Sequence, residues 1–518
     1  MDPVATGALR PGERYEVRET LGSGSFGTVH RVFDRLLGRE VALKVLQQPD
    51  GSALYRFKRE FRSLVGHVHP GLVELHELYS VDGVWMYTME LVDGVRFDHW
   101  LAPEAETTSP RTLDLPRLKG AFAQLADGLC ALHAMGKIHR DVKPSNVLVT
   151  RDGRVVLLDF GLISDADPVA QTNDGAAIGT VAFMSPEQAG GLPVTPATDW
   201  YAFGSMLYEA LTGTRPFLGQ SLEVLLRKAT ETPLPPRQLV PSLPEELDRL
   251  VTRLLDRDAE RRPGGDEVLA TLGHAPSAAT RRLATPRPLA AGLREEHGRF
   301  LHHLHEAFAE AAHHPVVVVL LGPAASGKTS LLEAFLAEIQ ATADPIVIGG
   351  RVQAGDLTAF PVLDHAIDQL GNAVLRLPPE SRAELFADAA DLAQLFPSLT
   401  RIPALRRPTL PGSVPLSAEE QERRGLAALV RIARRLAAGR RLVGWIDDAH
   451  AATGRGTKIL EIDPAEAPPV LLVYLHRSEH HDTHVLRALR ALRGDVRWYE
   501  LPAAPDPGGD QAMSSRIA

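Results

Sequence analysis

Two glycine-rich loops in opposite local settings constrain this 518-residue chain more than any other feature. Gly22-Ser23-Gly24-Ser25-Phe26-Gly27-Thr28-Val29 lies between two strand-like runs. Gly322-Pro323-Ala324-Ala325-Ser326-Gly327-Lys328-Thr329 instead joins the apolar run Val316 to Leu321 to an amphipathic pattern carrying Leu331, Leu332, Phe335, Leu336 and Ile339. Missing β-carbons in either loop let backbone N–H groups approach phosphate oxygens closely. A strand–loop–strand unit and a strand–loop–helix unit belong to different architectures, so the spacing predicts at least two domains, as the length also suggests.

The first hundred residues carry short β-rich runs at Tyr15 to Leu21, Thr28 to Phe33, Glu40 to Val45 and Val84 to Leu91, which read as a small sheet lobe. From about Leu113 to Leu272 the apolar spacing is three-to-four, as in Ala202, Met206, Leu207, Ala210 and Leu211, which predicts packed helices. An Ala-, Arg-, Thr- and Pro-rich stretch without periodicity follows. The expected division is an N-terminal tail over 1–14, a first domain over 15–273, a linker over 274–290, a second domain over 291–503 and a disordered tail over 504–518. The second domain opens with a helix around Arg294 to Ala312. Apolar strands at Val316 to Leu321, Ile346 to Ile348, Leu442 to Ile446 and Val470 to Tyr474, with helical stretches between, predict a parallel sheet with crossover helices.

Composition excludes several classes. A hydrophobic share of 44% and a charged share of 23% are those of globular proteins. A net charge of −9 without a Lys/Arg block argues against nucleic-acid binding and anionic membranes. No apolar run approaches a bilayer span and no signal pattern opens the chain, so neither membrane insertion nor export is expected. The single cysteine, Cys130, rules out an intramolecular disulfide or a cysteine zinc site and fits a reducing, cytoplasmic setting. It falls in the apolar pattern Phe122, Leu125, Leu129, Leu132 and reads as an inert core thiol. His302 and His305 share a helix face, but no acidic residue completes a ligand pattern, so no zinc is expected.

Phosphoryl transfer asks a protein mainly to position phosphates and metal and to neutralise charge. Val41-Ala42-Leu43-Lys44 ends an apolar strand on a lysine suited to phosphate oxygens, and Glu60, in the helical segment Tyr55 to Val65, is its expected ion-pair partner. The deciding run is His139-Arg140-Asp141-Val142-Lys143-Pro144-Ser145-Asn146, followed by Asp159-Phe160-Gly161. With these motifs in this order, residues from about Tyr15 to Gly273 resemble the eukaryotic-type (Hanks-type) serine/threonine protein kinases of bacteria.

That resemblance implies a bilobal α+β kinase fold, with ATP and Mg2+ as cofactors and Ser/Thr-bearing proteins as substrates. It makes Asp141 the base that orients the substrate hydroxyl, and Lys143 a cation steadying the transferring phosphate. Asn146 and Asp159 become metal ligands. Leu21, Gly22, Ser23, Gly24, Ser25, Phe26, Gly27, Thr28 and Val29 would cover the nucleotide, with Ala42 and Lys44 from the next strand. Met89, Glu90 and Val92 would form the adenine-reading hinge. Gly179-Thr180 and Ser185-Pro186-Glu187 would close an activation segment, Arg262 would pair with Glu187, and Asp199 opens a helix. Arg140 suggests that a phosphate on that segment would order it; Thr172 is the first choice of acceptor, with Ser164 and Thr180 as rivals.

In the second loop, Gly322 and Gly327 shape a phosphate cradle at a helix N-terminus, Lys328 adds charge and Thr329 offers a magnesium ligand. The strand Leu442-Val443-Gly444-Trp445-Ile446 ends on Asp447 and Asp448, the first suited to the magnesium shell and the second to an attacking water. Arg477, ending another strand, is a candidate γ-phosphate sensor. From about Leu293 to Leu501 this part resembles the AAA-like ATPase modules of signal-transduction P-loop NTPases, which implies an α/β parallel-sheet domain. Without the lid and helical repeats usual there, it is expected to be truncated. The stretch 449–454 departs from the family's pattern, so nucleotide binding is expected before hydrolysis. Two further readings remain: a nucleotide-controlled scaffold with weak or no kinase activity, and a kinase acting on a small molecule.

Overall fold

The computed structural model describes residues 14–502 apart from 25–26, 48–49, 82, 102–113, 160–180, 285–292, 325, 344, 353–355, 358–360, 376–377, 387–389, 406–416, 439 and 452–466. Strands β1 (Tyr15–Gly24), β2 (Gly27–Asp34), β3 (Arg39–Leu46), β4 (Leu75–Val81) and β5 (Val84–Met89) form an antiparallel sheet in the order β1-β2-β3-β5-β4. Helix α1 (Gly51–Leu64) lies between β3 and β4 in sequence. It starts where the Asp50 carboxylate accepts from the N–H groups of Ser52 and Ala53, both at 2.8 Å, which satisfies two otherwise orphan donors. Its Leu54, Phe57, Phe61 and Leu64 recur at helical spacing and are buried.

Below the sheet the chain becomes helical. Helix α2 (Leu115–Ala134) lies in sequence between β6 (Gly94–Arg96) and β7 (Val147–Thr150), which with β8 (Val155–Leu157) form a small sheet. Helix α3 (Pro196–Thr212) is buried on nearly every side, as its mixture of Trp200, Tyr201, Phe203, Met206 and Leu207 requires. Helices α4 (Ser221–Thr230) and α5 (Glu245–Leu254) follow in the same lobe. Cys130 is half-buried in α2, and burial pushes its thiol up to about 12. Residues 274–290 were expected to be a linker, yet Ala278–Ala284 is a short helix held to α2. Thr280 is buried there and hydrogen-bonds Asp127 at 2.7 Å and His69 at 3.0 Å. Spaced polar contacts of this kind leave no periodic signal in so short a stretch.

The second part is built on a five-stranded parallel sheet in the order β10-β12-β13-β9-β14. Its strands are β9 (Val316–Gly322), β10 (Ile346–Arg351), β12 (Leu442–Asp447), β13 (Leu471–Arg477) and β14 (Asp495–Glu500). Helices α6 (Leu293–Glu310), α7 (Lys328–Ala343), α8 (Pro361–Leu375), α9 (Ala418–Ala437) and α10 (His484–Ala491) are distributed among them. The continuous Val/Leu run of β9 is buried along its length, as befits a strand covered on both faces. β14 was not foreseen: its residues are mostly half-exposed, so it lacks the apolar run that marks its neighbours. A two-residue strand, β11 (Asp356–Leu357), leaves this domain and pairs in parallel with β4, extending the first sheet. The tails over 1–13 and 503–518 lie outside the described residues.

No described helix is long and apolar enough to cross a membrane. His302 and His303 face Glu306 at 3.2 and 3.3 Å, and His305 faces Glu338 at 2.7 Å. Among the described residues, Glu310, His314 and Asp495 bring three ligand-type atoms together, but Arg497 ion-pairs with both carboxylates and offsets their charge.

Candidate functional sites

β1 and β2 pair antiparallel up to their junction, with Ser23 and Gly24 registered opposite Thr28 and Gly27. Gly27 has φ of 138°, and a β-carbon there would lie 2.0 Å from the Val45 carbonyl oxygen, so no other residue fits the close approach of β2 to β3. Gly22 and Gly24 face open space and Leu21 is exposed, whereas Ser25 and Phe26 lie outside the described residues. Ala42 pairs with Met89 across β3 and β5, and both are buried, with Val29 packed against the same core. At the expected hinge the Glu90 N–H donates to the Glu74 carbonyl at 2.8 Å, its carboxylate takes both arms of Arg154 at 2.6 and 2.9 Å, and Val92 is half-buried.

Deeper in the cleft, Lys44 at the inner end of β3 donates to Asp159 Oδ1 at 2.7 Å. Tyr87 also reaches Asp159, at 3.4 Å; burial, then the Asp159 charge, pushes its phenol well above the usual range and keeps it a donor. Lys44 does not meet Glu60, contrary to the expected pairing. Glu60 instead joins Arg59 at 2.8 Å and Lys137, in the loop after α2, at 3.0 Å. Burial would raise the Glu60 carboxyl, but hydrogen bonds from Arg59 and Lys137 hold it below the usual range. Sequence could place Glu60 on a helix but not fix where that helix sits.

The loop after α2 gathers the remaining polar groups. Lys143 lies 2.8 Å from Asp141, and the Asn146 amide donates to the Asp141 carbonyl and carboxylate at 2.8 and 2.9 Å. Asp199, buried at the start of α3, holds this loop by accepting from the N–H groups of His139 and Arg140, both at 2.8 Å. The sequence marked Asp199 only as a helix residue. Its anchoring role crosses 60 positions. Arg262 and Glu187, expected as a pair, meet at 2.7 and 2.8 Å. Lys228 of α4 is buried and donates to the carbonyls of Val181, Ala182 and Met184 at 2.7 to 2.8 Å. Burial pushes its ammonium down to about 7. Phe160, Gly161, Ser164, Thr172 and Thr180 lie outside the described residues.

The second site is built from fewer elements. β9 ends at Gly322, the loop turns, and Gly327 with φ of 86° admits the chain to α7. Lys328 curls back to the carbonyls of Gly322 and Pro323 at 2.7 and 2.8 Å and to Ser326 Oγ at 3.1 Å. Burial lowers its pKa, opposed only in part by the carboxylates of Asp447, Glu479 and Asp448. Thr329 Oγ1 donates to Asp447 Oδ2 at 2.8 Å, bringing the two expected metal ligands into contact although 118 positions separate them. Asp448 accepts from Arg477 at 3.3 Å.

Two groups here were not anticipated. Arg351, at the end of β10, contacts Asp447 at 2.9 Å, Thr329 at 3.3 Å and Asp448 at 3.5 Å. Glu479 accepts from the Ala324 N–H at 2.9 Å, a donor of the phosphate cradle. Parallel pairing of β10 with β12 sets Arg351 opposite Asp447, a register that needs the sheet order to be known. Among the described residues, the non-glycine positions at positive φ are Arg140, Asp159 and Asp448, all at the two sites, where backbone strain tends to collect.

The bilobal architecture and the Lys44, Asp141, Lys143, Asn146 and Asp159 cluster define the first half as a protein kinase domain, and the parallel sheet with its glycine loop defines the second part as a P-loop NTPase-like domain. Comparison agrees: residues 15–272 match the protein kinase domain family, and residues 293–489 match the AAA ATPase domain family. Residues 15–272 thus carry a protein kinase domain. The DNA damage-responsive serine/threonine-protein kinase RqkA of Deinococcus radiodurans is 38% identical over 276 residues, covering 52% of this chain and 40% of RqkA. Serine/threonine-protein kinase PknA of Mycobacterium tuberculosis is 34% identical over 270 residues, 50% of this chain and 61% of PknA. PknB of the same species is 36% identical over 262 residues, 48% of this chain and 41% of PknB. The matched region therefore spans 40% to 61% of the length of these relatives.

Proposed function

We propose that the chain is an ATP-dependent protein kinase that transfers the γ-phosphate to Ser/Thr hydroxyls of proteins, itself included, in bacterial signalling, and that its second domain binds ATP at a separate site. The observation that carries this reading is the convergence of Lys143 and Asn146 on Asp141, each within hydrogen-bond distance of it, in the loop that Asp199 anchors. Asp141 takes the substrate hydroxyl proton as the oxygen attacks phosphorus. Lys143 neutralises charge on the transferring phosphoryl oxygens, and Lys44 does so on the phosphates behind it.

The residues fit Mg2+, a hard cation that prefers oxygen ligands. Asn146 spends its amide nitrogen on Asp141, which leaves its carbonyl oxygen for a cation. Asp159 spends Oδ1 on Lys44 and Tyr87, which leaves Oδ2. In the second domain Thr329 and Asp447 would hold the ion together. A metal held by these residues would supply positive charge to offset what develops on the phosphates during transfer. A cytoplasmic setting belongs to the same reading, supported by the lone, half-buried cysteine.

Transfer of labelled phosphate from Mg-ATP to a generic Ser/Thr protein substrate tests the proposal with wild type, Asp141→Asn and Lys328→Ala. Transfer lost in the first variant and retained in the second supports it. No transfer from a folded, ATP-binding wild type would instead favour a nucleotide-controlled scaffold.

A further inference from the structure

The contact between the two domains falls on α1, the helix that carries Glu60. Lys58 and Arg62 are one helical turn apart on one face of α1, and Glu60, two positions from each, points elsewhere. Both cations are buried. Lys58 reaches Asp364 at 2.6 Å and Asp368 at 3.0 Å, and Arg62 reaches Asp364 at 2.5 Å and Asp368 at 3.4 Å; the two carboxylates are themselves buried on α8. Ser398 donates to Asp368 at 2.5 Å, fixing the second acid from behind.

Two further contacts make the docking close. Gly51, which opens α1, lies against residues 397–401, where an added β-carbon would meet Thr400 Oγ1 at 2.3 Å and the Arg401 backbone nitrogen at 2.9 Å. β11 pairs with β4, so the kinase sheet itself runs into the second domain. In this docked arrangement Glu60 is with Lys137 and Lys44 is with Asp159. Kinase activity requires the Lys44-to-Glu60 pairing, and the position of the helix controls it.

We infer that the docked second domain is a built-in inhibitor of the kinase. Its Asp364 and Asp368 clamp α1 through Lys58 and Arg62, withholding Glu60 from Lys44, and opening that clamp is the activating step. The inference rests on the kinase reading above. Opening the clamp separates four buried charges, which are stable only as a set. A route from the second nucleotide site is present: Arg351 touches Asp447 and Thr329, and the chain then passes through β11 into α8, which bears the clamp.

The test compares full-length wild type with Asp364→Asn/Asp368→Asn and, independently, with Leu357→Pro, which removes a backbone donor from β11 without touching the ion pairs. Phosphate transfer from Mg-ATP to a generic protein substrate and amide hydrogen exchange across residues 51–64 are both read. We expect transfer to rise by about tenfold, within the range of ordinary allosteric coupling, together with faster exchange in α1. Unchanged exchange in both variants overturns the clamp, as does faster exchange with an unchanged or lower rate in variants that retain transfer. Faster exchange with no transfer from any of the nucleotide-binding proteins, wild type included, overturns the kinase reading and the inhibitory role with it.

Discussion

The two nucleotide sites differ in how much of the molecule each one needs. The second site comes from one strand–loop–helix unit and the ends of β10, β12 and β13. Lys328 is satisfied by its own loop, and Thr329 already touches Asp447. The first site draws on both lobes and on α1, which packs in the kinase core and is also tied to Asp364 outside the kinase domain. A site assembled from neighbours in one sheet is fixed when that sheet folds, whereas a site assembled across lobes stays open to control by whatever holds the lobes. The difference is one of how far each site's parts are spread, and substitutions can probe it.

The largest effect is expected from Asp141→Asn, which should lower the transfer rate by about 10²- to 10⁴-fold, the range for a lost general base, while ATP binding in the second domain is unchanged. Equal loss of nucleotide binding at both sites would break the separation. Arg262→Ala is next. The Arg262 side chain is fully buried and Glu187 nearly so, so leaving Glu187 unpaired should cost about 3 kcal/mol in kinase-domain stability, read as a lower first transition in thermal unfolding.

The same pair sets a pH trend. Burial would raise the Glu187 carboxyl, but Arg262 holds it below its ordinary value. The folded state thus binds this proton less readily than the unfolded chain. The pair's contribution is full above the unfolded pKa and fades as pH falls through the folded value. Arg262→Ala should flatten that acid-side loss. A steep loss that persists in the variant would show that other carboxylates govern it.

Lys328→Ala should weaken Mg-nucleotide binding at the second site about ten- to a hundredfold, the range for a lost charged hydrogen bond, so that calorimetry finds one tight site where wild type has two. The smallest change is expected from Arg351→Gln. Arg351 occupies the Asp447 carboxylate that a metal would use, yet half its side chain is exposed. Removing it should tighten Mg-nucleotide binding by less than about fivefold, as for a screened surface pair. Weaker binding in this variant would mean that Arg351 holds the nucleotide rather than competing with its metal.

Much of both sites was legible because their chemistry is contiguous. The run from His139 to Asn146 and the loop from Gly322 to Thr329 are each contiguous in sequence, and flanking apolar periodicity placed them on elements. What escaped detection depends on distance in sequence. Lys58 and Asp364 are 306 positions apart, and a buried charge looks the same in sequence as a solvated one. Glu60 was placed on its helix, but its choice of Lys137 over Lys44 follows from how that helix is held. β11, two residues long, and β14, without an apolar run, lacked the signals by which strands are recognised.

The addition of β11 to β4 has a practical consequence for dissecting the protein. β4 is the terminal kinase strand of its sheet, and β11 supplies its outer neighbour. A kinase fragment cut free of the second domain would expose a bare strand edge beside two stripped cations, a surface prone to recruit strands from other copies. Such a fragment should scatter more light at rising concentration than the intact chain, and its activity would then describe an aggregate rather than a liberated enzyme.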